Sequence, residues 1–296
     1  MLRKIHGQIH KVSKDYKVIS IQIVNRLEYF YLQPRFVKKF RQYFYPGVFV
    51  SFECEEEKRK YRRRVVANVI NFEKIIGNRY HRKFSYFDHG AVQKEIVAKL
   101  SKYRYRLFID LEATMQRTKK EIDEIVQVGA ILTDDENKEY FQYNEYLKPT
   151  KIKKISKRTF KFLGIDQDLI KSGISYMDFY NTFHELIKKY KPAIIVWGQN
   201  DRGFLKDSYR INEVAPLFDS NDIINLQVLH KEYFNINYEL GLFNTYKIYG
   251  NESSEQKHNA FVDAYITKRV FNAFYDIAVN DVKINFKERL IESNIS

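Results

Sequence analysis

Two acidic residues, Asp110 and Glu112, lie two positions apart at the end of an apolar run that begins near Tyr105. On a β-strand, residues i and i+2 project from the same face, so the two carboxylates would lie side by side. Without a partner they would repel each other and lose hydration, whereas a shared divalent cation would stabilise both. For this pair alone, two ordinary surface acids at an exposed strand end are the more common explanation, and residues farther along the chain change that balance.

Three further polar residues occur at comparable places downstream. Asp201 follows the apolar run 193–197, where a strand would end and a helix begin, and Asp263 lies five residues after His258 on a long helical pattern. Ends of adjacent strands in an α/β sheet converge on one crevice. Four carboxylates there predict two divalent cations, Mg²⁺ or Mn²⁺, and the histidine could be a general base for phosphodiester hydrolysis. Taken singly, Asp201 and His258 could instead be helix N-caps.

The pattern of residues 105–278 predicts an α/β domain in which these side chains are positioned by a mixed sheet with flanking helices. A capping box is expected at Ser175 and Asp178, before apolar residues at helical spacing. The segment 221–234 mixes strand and helix signals. The other predicted elements are strands at 105–112, 124–132, 140–147 and 193–197, and helices from about 201 and from 258 to about 278.

Residues 1–76 read as three strands, a helix at Phe36–Phe44 and two more strands, which is the order of a small all-β, OB-like barrel. Such barrels bind single strands with aromatic side chains in a basic groove. The alternative is that the aromatic residues are core and the basic ones a solvated face. The run Glu55–Arg64 is predicted to be a hairpin tip. A basic connector with a helix after Asp88 is expected at 77–104, and an amphipathic tail at 279–296.

Composition limits the class of protein. The chain has 296 residues with 51 Lys and Arg against 37 Asp and Glu, and this excess of 14 positive charges favours a nucleic-acid partner. Lysine-rich and asparagine-rich usage of an AT-rich genome would produce the same excess. The single cysteine, Cys54, excludes an intramolecular disulfide and a cysteine-based zinc site. Without a signal-like N-terminus or a long apolar run, we expect a cytoplasmic protein with no membrane partner.

Three motifs carry a resemblance to a known family. They are Ile-Asp-Leu-Glu-Ala-Thr at 109–114, Trp-Gly-Gln-Asn-Asp at 197–201 and His-Asn-Ala-Phe-Val-Asp-Ala at 258–264. In order and spacing they resemble the motifs of the DEDDh, or DnaQ-like, 3′→5′ exonucleases, over roughly residues 105–277. The resemblance implies a ribonuclease H-like fold. It also implies metal binding by Asp110, Glu112, Asp201 and Asp263, a general base at His258, and contacts to the terminal nucleotide from Leu111, Ala113 and Thr114.

The form Trp-Gly-x-x-Asp is similar to the KapD-like and Eri-type branch, which acts mostly on RNA. Met115 stands where many members have glycine. The resemblance therefore implies a metal-dependent 3′→5′ exonuclease that releases nucleoside 5′-monophosphates from single-stranded nucleic acid, with RNA favoured over DNA. The alternatives are a DNA proofreading or repair exonuclease, and a non-catalytic nucleic-acid-binding adaptor with the same fold.

Overall fold

The structure is a computed structural model that describes residues 2–24, 26–77, 85–115, 122–165, 167–219, 222–236, 238–251 and 258–293. The chain divides into two compact units, Met1–Glu95 and Ile96–Ser296. This division falls within the predicted connector, of which residues 78–84 lie outside the described part. Across the described ranges, no helix combines the length and apolar character needed to cross a bilayer.

The first unit contains a closed five-stranded β-barrel. Its strands are β1 (Leu2–Val12), β2 (Val18–Ile23), β3 (Arg26–Tyr31), β4 (Phe49–Tyr61) and β5 (Arg64–Ile76), with helix α1 (Pro34–Phe40) between β3 and β4. Antiparallel pairing runs β3-β2-β1-β4-β5, and a parallel pairing of β3 with β5 closes the ring. A short strand, β6 (Ser85–Phe87), pairs with β5, and helix α2 (His89–Ser101) follows.

Two details of the barrel differ from the sequence prediction. The first helix begins at Pro34, where proline suits a first helical position, and it ends at Phe40 before a 3₁₀ turn. The run Glu55–Arg64 does contain the predicted hairpin tip, a turn at 62–63, but β4 continues to Tyr61 and β5 begins at Arg64, so both strands extend farther into the run than predicted. Side-chain contacts support this extended strand: the Tyr61 ring centroid lies 4.7 Å from that of Tyr31 on β3.

The aromatic residues of the barrel divide between its core and its surface. Phe30 and Phe44 are buried in the core, as the alternative interpretation expected. Tyr29 and Tyr31, which alternate with Phe30 on β3, are half-buried on the outer face. Each tyrosine has an arginine over its ring. The Cζ of Arg64 lies 4.7 Å from the ring centroid of Tyr29, and that of Arg59 lies 4.5 Å from the ring centroid of Tyr31.

The second unit is built on a mixed sheet of order β11-β10-β7-β8-β9. Strands β7 (Arg106–Ala113), β8 (Ile125–Thr133) and β9 (Glu139–Tyr146) form the predicted antiparallel meander, and β10 (Ala193–Val196) and β11 (Ile223–Asn225) are parallel to β7. Its helices are α3 (Lys157–Leu163), α4 (Gln167–Ser172), α5 (Tyr176–Tyr190), α6 (Asn200–Ile211), α7 (Leu226–Phe234), α8 (Leu242–Ile248), α9 (Ala260–Ala278) and α10 (Phe286–Glu292).

Several predicted elements of this unit are confirmed. Ser175 and Asp178 form the capping box that begins α5. The ambiguous segment 222–234 contains both a strand and a helix, which explains its mixed signals. In the tail, α10 buries Phe286 in a stacked contact with Phe234 of α7, at 4.2 Å between ring centroids.

Strand β7 is the central strand, and its two faces meet different helices. Its odd-numbered residues share a hydrophobic cluster with the buried side of α5. Its even-numbered residues face α9, where the ring of Phe108 lies 5.3 Å from that of Phe271. Because side chains alternate along a strand, Asp110 and Glu112 continue the row that faces α9.

Candidate active site

The start of helix α9 lies in direct contact with the backbone of strand β8. A Cβ atom added to Gly129 would lie 2.1 Å from the carbonyl carbon of Ala260, so only glycine permits this approach. Gln127, on the same strand, accepts a hydrogen bond from the Ala260 N–H at 3.2 Å. Asn259 caps the helix by accepting from the N–H of Val262. These contacts hold the first turn of α9 against the sheet.

This packing brings the third motif to the first. Asp263 lies about 12 Å along the helix before Phe271, and Glu112 lies about 13 Å along the strand after Phe108. With the two phenylalanines in contact, the two acids meet at the other end. Ligand atoms of Glu112, His258 and Asp263 lie within 4.8 Å of one another, and His258 Nδ1 is 3.8 Å from Glu112 Oε1.

Asp201 reaches the same place from helix α6. The pairing of β10 with β7 extends only to Phe108, and farther along β7 the Leu111 N–H donates to Asp201 Oδ1 at 2.9 Å. The N-cap of α6 is Gln199, so the N-cap interpretation of Asp201 is wrong. Asn259 occupies the N-cap position of α9, which excludes that role for His258 as well.

A cavity of about 490 Å³ unites these side chains and is large enough for a small ligand. All eight residues singled out in the sequence line it: Asp110, Leu111, Glu112, Ala113, Thr114, Asp201, His258 and Asp263. Sequence reasoning did not anticipate several others on its wall, including Arg158, Phe162, Asn200, Gln227 and Leu242. Leu111, Ala113 and Thr114 are themselves buried, so they contribute a small edge to the cavity.

Helix α3 is attached to the end of β7 through Met115. The Met115 N–H donates to Thr159 Oγ1 at 2.9 Å, and Ser156 Oγ donates to the Met115 carbonyl at 3.1 Å. The Phe162 ring then stacks on His258, with ring centroids 4.0 Å apart. A capping serine at 156 and a glycine at 164 signal this helix in the sequence, but no local pattern shows that it faces the site.

The clustered carboxyl groups are difficult to ionise together. Burial raises the pKa of Asp263 and of Asp201 to about 7, although the Leu111 N–H partly offsets the effect on Asp201. Burial, with the charges of Asp263 and Asp201, raises the pKa of Glu112 to about 8. Burial, together with the negative charges of the other three carboxylates, holds the pKa of Asp110 well above its usual range. Burial lowers the pKa of His258, which favours the neutral imidazole.

The residues present fit divalent cations. Among the described residues, the buried Oδ1 of Asp263 has no hydrogen-bond partner, and such an atom costs free energy unless something else satisfies it. Four carboxylates supply the hard oxygen ligands that Mg²⁺ and Mn²⁺ prefer. Bound cations would also lower the electrostatic cost of ionising these groups together.

Comparison with known proteins identifies the family. A sequence model of the exonuclease family (RNase_T) matches residues 107–271, more than half of the chain. The chain belongs to this exonuclease family. Within the DEDDh exonuclease superfamily, it is 30% identical to the probable 3′-5′ exonuclease KapD of Bacillus subtilis over 170 residues, covering 56% of this chain and 82% of that relative.

Solved structures show that the exonuclease fold is shared. The nuclease domain of 3′hExo, a DEDDh family member bound to rAMP, aligns with a TM-score of 0.55 at 18% identity, covering 62% of this chain and 98% of that domain. A 3′-exonuclease that recognises the 3′ end of a histone mRNA stem-loop aligns with a TM-score of 0.52 at 16% identity, covering 59% and 83%. These two structures thus share the fold of the aligned part of this chain.

Proposed function

We propose that the protein is a metal-dependent 3′→5′ exonuclease that hydrolyses the terminal phosphodiester of single-stranded nucleic acid and releases nucleoside 5′-monophosphates. One observation carries the proposal: four acids from three separated motifs meet His258 in one cavity, where Asp263 Oδ1 has no partner among the described residues. Family membership supports the reaction class, and the name of the KapD relative supports the 3′→5′ direction.

The metal-binding residues would be Asp110, Glu112, Asp201 and Asp263, and the donor set fits two Mg²⁺ or Mn²⁺ ions. Two such ions, when bound, activate the attacking water and stabilise the leaving oxygen of a phosphodiester. The protein contributes the fixed positions of the carboxylates. Asp201 in particular is held in place by the Leu111 N–H, which donates to its Oδ1.

His258 would act as the general base. Its lowered pKa keeps the ring neutral, and Nδ1 is the ring nitrogen on the side of Glu112. That atom is placed to accept a proton from a water molecule beside the carboxylates. The stacked ring of Phe162 restricts the orientation of the imidazole.

The terminal nucleotide would occupy the cavity beside these groups. Leu111, Ala113 and Thr114 form one edge, as the resemblance implies, and the exposed Phe162 offers an aromatic face on the opposite side of His258. We propose RNA as the preferred substrate on the strength of the Trp-Gly-x-x-Asp form of the second motif. A contact to the 2′-hydroxyl would give that preference.

The first unit would hold the nucleic-acid strand. We propose that it is an OB-like barrel, supported by its strand order and by the closing parallel pairing of β3 with β5. Its outer face carries Tyr29 and Tyr31 with arginines above their rings, which is a surface suited to stacked bases and phosphates. Replacing Tyr31 by alanine in the full chain should weaken binding of long strands and leave dinucleotide hydrolysis unchanged.

Matched oligomers test the main proposal. The purified protein is incubated with Mg²⁺ or Mn²⁺ and with 5′-labelled RNA or DNA of one sequence, single-stranded or duplex, and product lengths are resolved. We expect stepwise shortening from the 3′ end, faster on single-stranded RNA, and its loss in Asp263→Asn. Faster shortening of DNA would favour the proofreading or repair alternative. Absence of shortening with every substrate and metal would refute the proposal and favour the adaptor.

A further inference from the structure

A stretch of fourteen residues beside the cavity has an unusual charge composition. Residues 148–161, here called the basic segment, contain seven cations and no acid, whereas the whole chain has 51 cations and 37 acids in 296 residues. All seven side chains are exposed, and none forms an ion pair with another described residue. The seven are Lys148, Lys151, Lys153, Lys154, Lys157, Arg158 and Lys161.

The backbone of the basic segment is fixed to the sheet near the site. Three consecutive N–H groups, those of residues 150–152, donate to the buried carboxylate of Glu124. The Glu124 N–H in turn donates to Thr114 Oγ1 at 3.0 Å, at the end of β7. At its other end, the segment is attached to Met115 by Ser156 and Thr159. Its cations are therefore presented from a braced backbone rather than a free loop.

Local stability does not explain this distribution of charge. The first turn of α3 contains Lys157 and Arg158 and no acid. Cations near a helix N-terminus face the positive end of the helix dipole, where acids rather than cations are stabilising. Together with repulsion among seven like charges, this arrangement is unfavourable unless a polyanion binds there.

The position of the segment indicates which polyanion that is. Arg158 lies on the wall of the cavity that contains the four carboxylates, so the basic segment reaches the candidate active site. A strand whose 3′-terminal nucleotide occupies that cavity must leave it with its remaining phosphates exposed. We propose that the basic segment binds the phosphates of the nucleotides upstream of the 3′ end. This inference rests on the proposed function and adds a substrate-binding surface to it.

Adjacent lysine pairs provide a matched test. Lys153→Gln/Lys154→Gln removes two charges from the basic segment, and Lys188→Gln/Lys189→Gln removes two from the exposed end of α5. For full-length wild type and both double variants, kcat/KM is measured on a dinucleotide and on a 5′-labelled strand of about 20 nucleotides, across a range of NaCl concentrations. The short substrate reports the catalytic centre and the long one adds the upstream phosphates.

We expect the Lys153/Lys154 variant to retain wild-type kcat/KM on the dinucleotide. On the long strand, the slope of log kcat/KM against log salt should become shallower by about 1.4, since each lost single-strand phosphate contact contributes about 0.7. If the kcat/KM values of the variant and wild type converge at 1 M salt, this difference in slope makes kcat/KM of the variant about 25-fold lower than wild type at 0.1 M salt. The Lys188/Lys189 variant should match wild type on both substrates.

Unchanged long-strand kinetics and slope in the Lys153/Lys154 variant would overturn the inference while leaving the exonuclease intact. Equal losses in the two double variants would also overturn it, because the effect would then be one of net charge. If long-strand kinetics are unchanged but binding to polyglutamate is lost, the segment is a protein-docking surface and the inference is wrong. By contrast, a wild-type protein that cleaves neither substrate would refute the proposed function itself.

Discussion

Gly129→Ala tests whether the contact between strand β8 and helix α9 positions the candidate active site. The added Cβ would lie 2.1 Å from Ala260 C and Phe261 N, whereas ordinary contacts begin near 3.4 Å. The first turn of α9 must therefore retreat by about 1.3 Å, or β8 must shift by the same amount. That turn carries Asp263 and follows His258, so both would move relative to Glu112.

We expect Gly129→Ala to lower both kcat/KM and the free energy of unfolding. A misplacement of about 1 Å can reduce catalysis by about 100-fold, so we expect kcat/KM on single-stranded RNA to fall by that factor or more. Overpacking a core typically costs about 1–3 kcal/mol of unfolding free energy, and a clash with backbone atoms should cost at least this much, so the kinetics are measured on protein whose folding has been verified. The assay is steady-state hydrolysis in Mn²⁺, with the melting temperature and the far-UV circular dichroism spectrum measured on the same preparation.

Gly203→Ala is the matched control. Gly203 lies within α6 and a Cβ there would meet no atom within 4 Å. Alanine is the better helix former, so this variant should keep its activity and gain about 0.5–1 kcal/mol of stability. If Gly129→Ala keeps activity within threefold of wild type, the close approach of α9 does not position the site and the reasoning is refuted.

Three further predictions concern the cavity. In metal-free protein, burial raises the pKa of Asp263 to about 7, well above its value in the unfolded chain. Between these two pKa values the folded state binds more protons than the unfolded state, so the free energy of unfolding falls as pH rises. Relative to wild type, Asp263→Asn should therefore gain about 2 kcal/mol between pH 5 and pH 7, measured by urea unfolding in chelator. Millimolar Mn²⁺ should raise the wild-type melting temperature, by an amount equivalent to about 3 kcal/mol at a hundred times Kd, and should not do so in Asp110→Asn. Phe162→Leu should lower kcat by roughly tenfold without changing this Mn²⁺ shift, because the ring stacks on His258 and lines the cavity but supplies no metal ligand.

Each of these has a contradicting result. A stability difference between Asp263→Asn and wild type that is constant with pH would show that the carboxyl group is not held protonated. An equal Mn²⁺ shift in Asp110→Asn would place the metal elsewhere. Wild-type kcat in Phe162→Leu would show that His258 is oriented without the stacked ring.

Much of the local structure was predictable because short-range rules govern it. The alternation in β7 puts Asp110 and Glu112 on one face whatever packs against them. The capping box at Ser175 depends only on residues three apart. The predictions that failed are those in which contacts distant in sequence override local signals. The strands on either side of the hairpin tip are longer than predicted, because β4 pairs with β5 as far as Tyr61, whose ring packs against Tyr31 of β3.

The sequence by itself determined which residues could do the chemistry: three motifs, four acids and a histidine, each with its own local element. Tertiary structure alone decided how they meet. The hydrogen bond from Leu111 to Asp201, the fit of Ala260 against Gly129, and the attachment of α3 through Met115 join residues about 40 to 130 positions apart. No local periodicity encodes such contacts, because they depend on how closely separate elements pack. The stacking of Phe162 on His258 and the placement of the basic segment beside the cavity follow from that packing.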